Sequence, residues 1–182
     1  FGIEKPLLGT VKLGDGTPVS NSSVAVHHRM GYVSKNRDQE SLMITATVAD
    51  NVAMPSLRDI RRHGLVFKAQ ERALAEEQRE TLSIKCASVD QVVRYLSGGN
   101  KQKGVFGRWI GNKSRILILD CPTRGVDIGV KQAMYQLIYK LKKEGCSILL
   151  ISEELTELLG IPCYSRHKLS CSSSCNPLLQ QG

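Results

Sequence analysis

Eight consecutive residues, Leu96-Ser97-Gly98-Gly99-Asn100-Lys101-Gln102-Lys103, have the composition of an anion site. A serine and two glycines that open a helix present a hydroxyl and bare backbone N–H groups at the positive end of the helix dipole. Glycine also lets the backbone come close to a phosphate. The same residues suit an ordinary capped helix start, because Ser-Gly-Gly is common in turns. Downstream, residues 115–120 form a short apolar run that ends in Asp120 and continues as Cys121-Pro122-Thr123-Arg124-Gly125-Val126-Asp127. A buried parallel strand reads this way when it delivers a carboxylate at its carboxyl end, where open α/β sheets bind ligands. A strand-end cap is the plainer reading of Asp120. A third polar stretch, Ser34-Lys35-Asn36-Arg37, leaves the short apolar segment at 30–33.

The elements around these residues follow from spacing and punctuation. Residues 10–19 read as a short hairpin turning at Asp15-Gly16. Residues 21–28 read as a helix capped by Asn21 or Ser22, and 30–33 as a strand. Residues 48–52 look helical, with Pro55 as a stop. Residues 68–82 are rich in strong helix formers, and the stretch from about 55 to 95 has the character of a helical subdomain inserted in an α/β core. A helix is predicted to follow the glycines of Ser97-Gly98-Gly99 and to run to about Ile110. Another spans 129–143, with Val130, Met134, Leu137, Ile138 and Leu141 at helical spacing, and Gly145 stops it. Residues 147–151 form the next strand and 153–159 the next helix. This alternation predicts a mostly parallel sheet.

The 182 residues fit one domain, and 41% apolar content reads as globular. No run approaches the roughly 18 apolar residues of a membrane-spanning helix. The first residues, Phe1-Gly2-Ile3-Glu4-Lys5-Pro6, lack the pattern of a signal peptide and read as the middle of a longer protein. The net charge of +8 is scattered, and only 5% of residues are aromatic. A solvated basic face fits this better than a nucleic-acid surface, so no nucleic-acid partner is expected. The six cysteines, Cys86, Cys121, Cys146, Cys163, Cys171 and Cys175, are expected to be reduced.

The order and spacing of these motifs resemble the nucleotide-binding domains of ABC ATPases. The stretch from Leu96 to Lys103, together with Pro122-Thr123-Arg124-Gly125-Val126-Asp127-Ile128-Gly129, is similar to the second such domain of monosaccharide importers of the ribose, galactose and xylose type. The resemblance covers residues 1–160, read as a partial nucleotide-binding domain, with 161–182 as a divergent, disordered tail. It implies an α/β fold, a P-loop NTPase core with a mostly parallel sheet and an inserted helical subdomain, incomplete at the N-terminus. It also implies ATP and Mg²⁺ as cofactors. Ser97, Gly98, Gly99 and Asn100 would be the signature that reaches the γ-phosphate of ATP bound on a partner domain. Asp120 would hold Mg²⁺ through water, Asp127 would lie at the dimer interface, and Lys35 would stand in the loop that couples nucleotide to the membrane subunits. The implied partners are a second nucleotide-binding domain in the same polypeptide, a membrane permease and, indirectly, a sugar-binding protein. The implied location is the cytoplasmic face of the plasma membrane.

Four departures bear on activity. No Gly-x-x-x-x-Gly-Lys-Ser/Thr loop occurs; Gly107 to Ser114 has the wrong spacing and precedes a strand, so it is a decoy. The resemblance places residue 1 just after the helix that follows that loop. Cys121 stands where the family has a catalytic Glu, and a thiol is a poor acceptor and weak base. Glu153 stands where many relatives have a switch His, which would put negative charge near a phosphate. Lys35 replaces the usual Gln or Glu. An asymmetric pair follows: the chain's own site binds ATP structurally at best, while its signature completes the partner's site. After Gly160 the tail departs from the family, which a frameshift would explain; Cys163, His167, Cys171 and Cys175, spaced by four, leave zinc as the alternative. Two other readings remain: a non-catalytic relic or regulatory module, and an ABC protein acting on DNA or ribosomes. The importer-type motifs and the lack of coiled-coil heptads argue against the second.

Overall fold

The computed structural model describes residues 1–154. Three strands, β1 (Met30–Val33), β2 (Ile116–Asp120) and β3 (Ser147–Ile151), form one parallel sheet in the order β1-β2-β3. Met30 pairs with Ile116, and Ile116 with Ser147. Parallel neighbours need crossovers. The first carries α2 (Val48–Ala53), α3 (Leu57–Ile60), α4 (Lys68–Thr81) and α5 (Gly98–Gly111); the second is α6 (Ile128–Lys143). A short helix, α1 (Ser22–His27), precedes the sheet, and Asn21 Oδ1 caps it by accepting the Val24 N–H at 3.0 Å.

Two expectations need correction. The hairpin is a tight turn with one bridge, Lys12 to Pro18, and no strands. Pro18 lacks the N–H that a longer ladder requires. α2 does end ahead of Pro55, at Ala53; the proline lies in a single 3₁₀ turn, Met54–Ser56, where its missing N–H has no partner to lose, and the chain runs on into α3. β2 is not covered alike on both faces. Leu117 and Leu119 are buried beneath α5 and α6, whereas Ile116 and Ile118 are partly covered by the smaller cluster around Val19, Ala25 and Met30. On β3, Leu149 is 58% exposed. The helix expected at 153–159 and the Cys163–Cys175 spacing lie outside the described residues, apart from Glu153 and Glu154.

The main core joins Val105, Phe106 and Trp109 of α5, Met134, Ile138 and Leu141 of α6, and the inner face of the sheet. A Cβ on Gly31 would sit 2.8 Å from the Trp109 ring and 2.7 Å from Leu117 Cδ2. Glycine therefore lets the indole lie against β1, where its N–H donates to the Tyr32 carbonyl at 2.8 Å. Below it, Arg108 is buried on α5. Its Nε donates to the Asn51 carbonyl at 2.7 Å, Nη2 to Asn51 Oδ1 at 2.8 Å, and Nη1 to the Ser41 carbonyl. Burial pulls its pKa down to about 10, so it stays cationic at neutral pH. Residues 107–114 are the end of α5 and the turn into β2, so the decoy is no strand-to-helix phosphate loop.

α2 starts in a capping box in which Thr47 Oγ1 accepts the Asp50 N–H at 3.0 Å and Asp50 Oδ2 accepts the Thr47 N–H at 3.1 Å. Asp50 also pairs with Lys68 on α4 at 2.7 Å. Lys68 and Thr47 together hold the Asp50 carboxyl down to about 2. A depressed carboxyl pKa adds stability that is complete above its unfolded value and is lost as pH falls through the folded one. Asp50→Ala is therefore expected to cost about 1 kcal/mol at neutral pH. In urea melts, the gap from the parent should close as pH drops from the ordinary value of 3.8 toward 2.

Candidate functional site

The three strands end on one edge. β1 delivers Ser34 and Lys35, the middle strand delivers Asp120 and Cys121, and β3 delivers Ser152 and Glu153. The outer two contributions meet: Lys35 Nζ donates to Glu153 Oε1, joining loops that flank the central strand. The Lys35 ammonium holds the Glu153 carboxyl below the usual carboxylate range, and the Arg124 charge adds to this. Two residues that stand out separately as departures from the family pattern are thus one ion pair. The side chains are 31% and 66% exposed, so the pair adds little stability; its consequence is placement and local neutrality.

Cys121 is buried between these loops and has φ +46°, a left-handed conformation that costs energy for a residue with a Cβ. Its N–H donates to the Ile151 carbonyl at 2.8 Å and its carbonyl accepts from the Arg124 N–H at 3.0 Å. Burial pushes the thiol pKa up, outweighing the lowering effect of the Glu153 backbone N–H, and the charges of Asp120 and Glu153 add to the rise. The thiol is therefore protonated at neutral pH, with no anionic base at this position. Asp120 lies beside the Tyr32 phenol, whose pKa burial raises, with the Asp120 and Glu40 charges contributing. Among the described residues, no three His, Cys, Asp or Glu side chains gather as a metal-ion cluster. One strand-end carboxylate still suits Mg²⁺, which keeps several of its waters.

The serine-glycine stretch opens α5 as expected. Ser97 is the N-cap, with its Oγ accepting the Asn100 N–H at 3.4 Å and the Asn100 Nδ2 at 2.9 Å. Asn100 Oδ1 accepts the Lys85 N–H at 2.8 Å. Ser97 is exposed, and first-turn N–H groups have no carbonyl four residues back within the helix. Ser97 thus serves as the cap of α5, while the first-turn N–H groups stay free of helix carbonyls. The glycines have an additional cause. A Cβ on buried Gly99 would lie 2.7 Å from Val130 Cγ2 of α6; one on Gly98 would lie 3.4 Å from both Arg37 Nη2 and the Gly125 carbonyl. Asp127 caps α6, its Oδ1 accepting the Val130 N–H at 2.9 Å.

Sequence reasoning missed the residue that ties these parts together. Buried Gln102 accepts from Arg37 Nη1 at 3.2 Å and donates to the Pro122 carbonyl at 2.6 Å. Asp38 joins in, bound by Arg37 at 3.1 Å and by Lys101 at 2.8 Å. These bonds hold Arg37 in place. The signal was the glutamine's own position, five residues after Ser97 and so turned inward on the helix. The structure thus brings Lys35 to Glu153, whose backbone N–H and charge act on Cys121, and sets Ser97, Gly98, Gly99 and Asn100 on a separate ledge joined to Pro122.

The contact between α5 and α6 is tight enough to test. Gly99→Ala is expected to destabilise the chain by about 1–3 kcal/mol, because a β-branched neighbour has little room to move. Val130→Ala in the same chain should recover most of that loss in denaturant melts.

Comparison with known proteins gives the same picture. The family described as ABC transporter matches residues 1–124. The chain is 38% identical over 162 residues to the ribose import ATP-binding protein of Lactococcus lactis subsp. lactis (strain IL1403), covering 88% of this chain and 33% of that protein. It is 41% identical over 165 residues to a putative ribose/galactose/methyl galactoside import ATP-binding protein of Burkholderia ambifaria, covering 88% of this chain and 32% of that one. The chain therefore spans about a third of the length of the curated relatives it matches. Among solved structures, the ATP-binding cassette MJ0796, a dimer bound to ADP and Pi, superposes with a TM-score of 0.69 at 20% identity over 85% of this chain and 67% of that one. A nucleotide-free ATP-binding cassette gives 0.68 at 18% identity over 88% and 65%. Motif order, sheet topology and relatives agree, and the chain belongs to the ABC transporter family, with the α/β P-loop NTPase fold of its cassettes.

Proposed function

We propose that this chain is the ATP-binding cassette part of a monosaccharide importer that donates its signature helix to an ATP site on a partner cassette. The observation that carries this is the contrast between two regions. The α5 ledge is intact: Ser97 is exposed as a cap, and Gly99 and Gln102 are seated against α6 and Pro122. The strand-end edge is not: its central position holds a protonated thiol flanked by a neutralised Lys35–Glu153 pair. Hydrolysis needs a base or a hydrogen-bond acceptor to orient water, and a buried thiol serves poorly in either role.

In this reading, ATP on the partner meets the Ser97 hydroxyl and the first-turn N–H groups of α5, with the helix dipole favouring its negative charge. Asp120 would hold Mg²⁺ through water when the chain's own edge carries nucleotide. The metal would supply charge neutralisation on the phosphates. The relatives' names, ribose and ribose/galactose import ATP-binding proteins, support sugar import, and a dimeric structural neighbour supports a cassette pair. Asp127 would lie at that pair's interface. A permease, reached through the Lys35 loop and the helices of the first crossover, a sugar-binding protein and the cytoplasmic face of the membrane complete the assembly. No helix among the described residues is long and apolar enough to cross a membrane. A second reading, a non-catalytic or regulatory cassette, is favoured by Cys121 alone.

In a polypeptide that pairs this chain with its partner cassette, Ser97→Arg should abolish ATP turnover while Cys121→Ala changes it less than about threefold, in keeping with side chains that do and do not touch the reaction. Equal losses would overturn the asymmetry. The 182-residue chain alone should release no Mg²⁺-dependent phosphate from ATP above background. Robust turnover there would contradict the reading of Cys121.

A further inference from the structure

From the end of α3 to the start of α4, residues 61–69 are exposed without interruption. They form a defined turn. The Arg62 N–H donates to the Leu65 carbonyl at 2.8 Å and the Leu65 N–H to the Arg62 carbonyl at 2.9 Å. His63 and Gly64 between them have φ of +49° and +82°, the pair of left-handed residues that closes a two-residue hairpin. The turn and the end of α3 carry three exposed cations, Arg58, Arg61 and Arg62. The carboxylates nearby are committed elsewhere: Asp59 to Arg29, and Asp50 and Glu71 to Lys68. Among the described residues, none of the three arginines has a carboxylate partner. The turn also exposes apolar side chains, Leu65 63%, Val66 38% and Phe67 51%, with Leu65 paired directly across from Arg62.

Unpaired cations beside exposed Leu and Phe match the layered chemistry of a bilayer surface, where phosphates lie above the first methylenes. The feature is a short projecting turn. Three apolar side chains bury far less than the roughly 800 Å² per partner of a stable protein interface. We infer that the 58–67 turn contacts the membrane directly, its arginines on anionic lipid headgroups and Leu65, Val66 and Phe67 at the acyl boundary. This rests on the reading of the chain as a membrane-docked cassette and adds a lipid contact of its own, separate from any permease.

The test is co-sedimentation of the chain with protein-free vesicles of phosphatidylcholine, with and without phosphatidylglycerol. Binding is expected only to the anionic vesicles and should weaken at high salt. R58Q/R61Q/R62Q should lower the partition coefficient about 100-fold, from roughly fivefold per cation near an anionic surface. L65S/F67S should lower it as well, with unchanged circular dichroism showing that the variants are folded. The charge-matched control K12Q/K140Q/K143Q should lose far less. Absence of binding, equal binding to neutral vesicles, or an equal loss in the control would each overturn the lipid contact. Because the vesicles hold no permease, those results would leave permease docking standing. If, instead, the triple-arginine variant lost permease binding in detergent while the parent ignored vesicles, the turn would be a protein-docking surface and the lipid inference would fall.

Discussion

A buried guanidinium with no carboxylate beside it among the described residues holds this cassette together. Arg108 spends its donors on the Ser41 and Asn51 carbonyls and on Asn51 Oδ1. Asn51 in turn donates to the Met43 and Thr47 carbonyls at 3.0 and 2.9 Å. One side chain of α5 thereby fixes the loop after β1, the start of α2 and its own helix. A charge so placed is costly to bury and costlier to abandon, because removing it leaves several buried carbonyls without donors. The ledge at the other end of α5 inherits its position from this tie. The loop at 34–41 is pinned to α5 three times, at Ser41 by Arg108, at Arg37 by Gln102 and at Asp38 by Lys101.

The strand-end edge follows a different logic. A parallel sheet brings the ends of all its strands to one side, so three short loops share their charges. With the order β1-β2-β3, positions 35 and 153 face each other across the central strand although 118 residues separate them. A lysine at one and a glutamate at the other cancel locally. The negative charge that looks hostile to phosphate when Glu153 is read alone has a cation bound to it. The middle position, Cys121, is closed in by burial, which keeps its proton in place.

Much of the frame was legible in the residues. Ser97 announced a cap, the run ending at Asp120 announced a central strand, and Gly145 announced the end of α6; each rests on local chemistry that a sequence displays. The role of Gly99 was half legible. Its freedom suggested a phosphate approach, but its packing cause, the Val130 methyl on another helix, lies 31 positions away. Arg108 was not legible at all, because an arginine at mid-helix reads as solvated unless the carbonyls awaiting it are known. Pro55 was legible as the end of α2, but the continuation through a 3₁₀ turn into α3, where its missing N–H is not needed, was not. The Lys35–Glu153 pair required the strand order, which alternation of elements suggests but does not number.

These two regions are separable, and that makes a one-sided cassette physically coherent. The start of α5 is set by Gly99 against Val130, by Gln102 on the Pro122 carbonyl, and by Asn100 on the Lys85 N–H. None of these contacts passes through the thiol of Cys121 or the carboxylate of Glu153. Replacing a carboxylate by a thiol at position 121 therefore changes the chemistry of the edge while the backbone carbonyl next to it still receives Gln102. The backbone at Cys121 keeps a costly left-handed turn, closed by bonds to Ile151 and Arg124 that any side chain would leave intact. A backbone turn at Cys121 that does not depend on its side chain fits the proposed partner-serving cassette: the edge places Pro122 and α5, and α5 presents Ser97 outward.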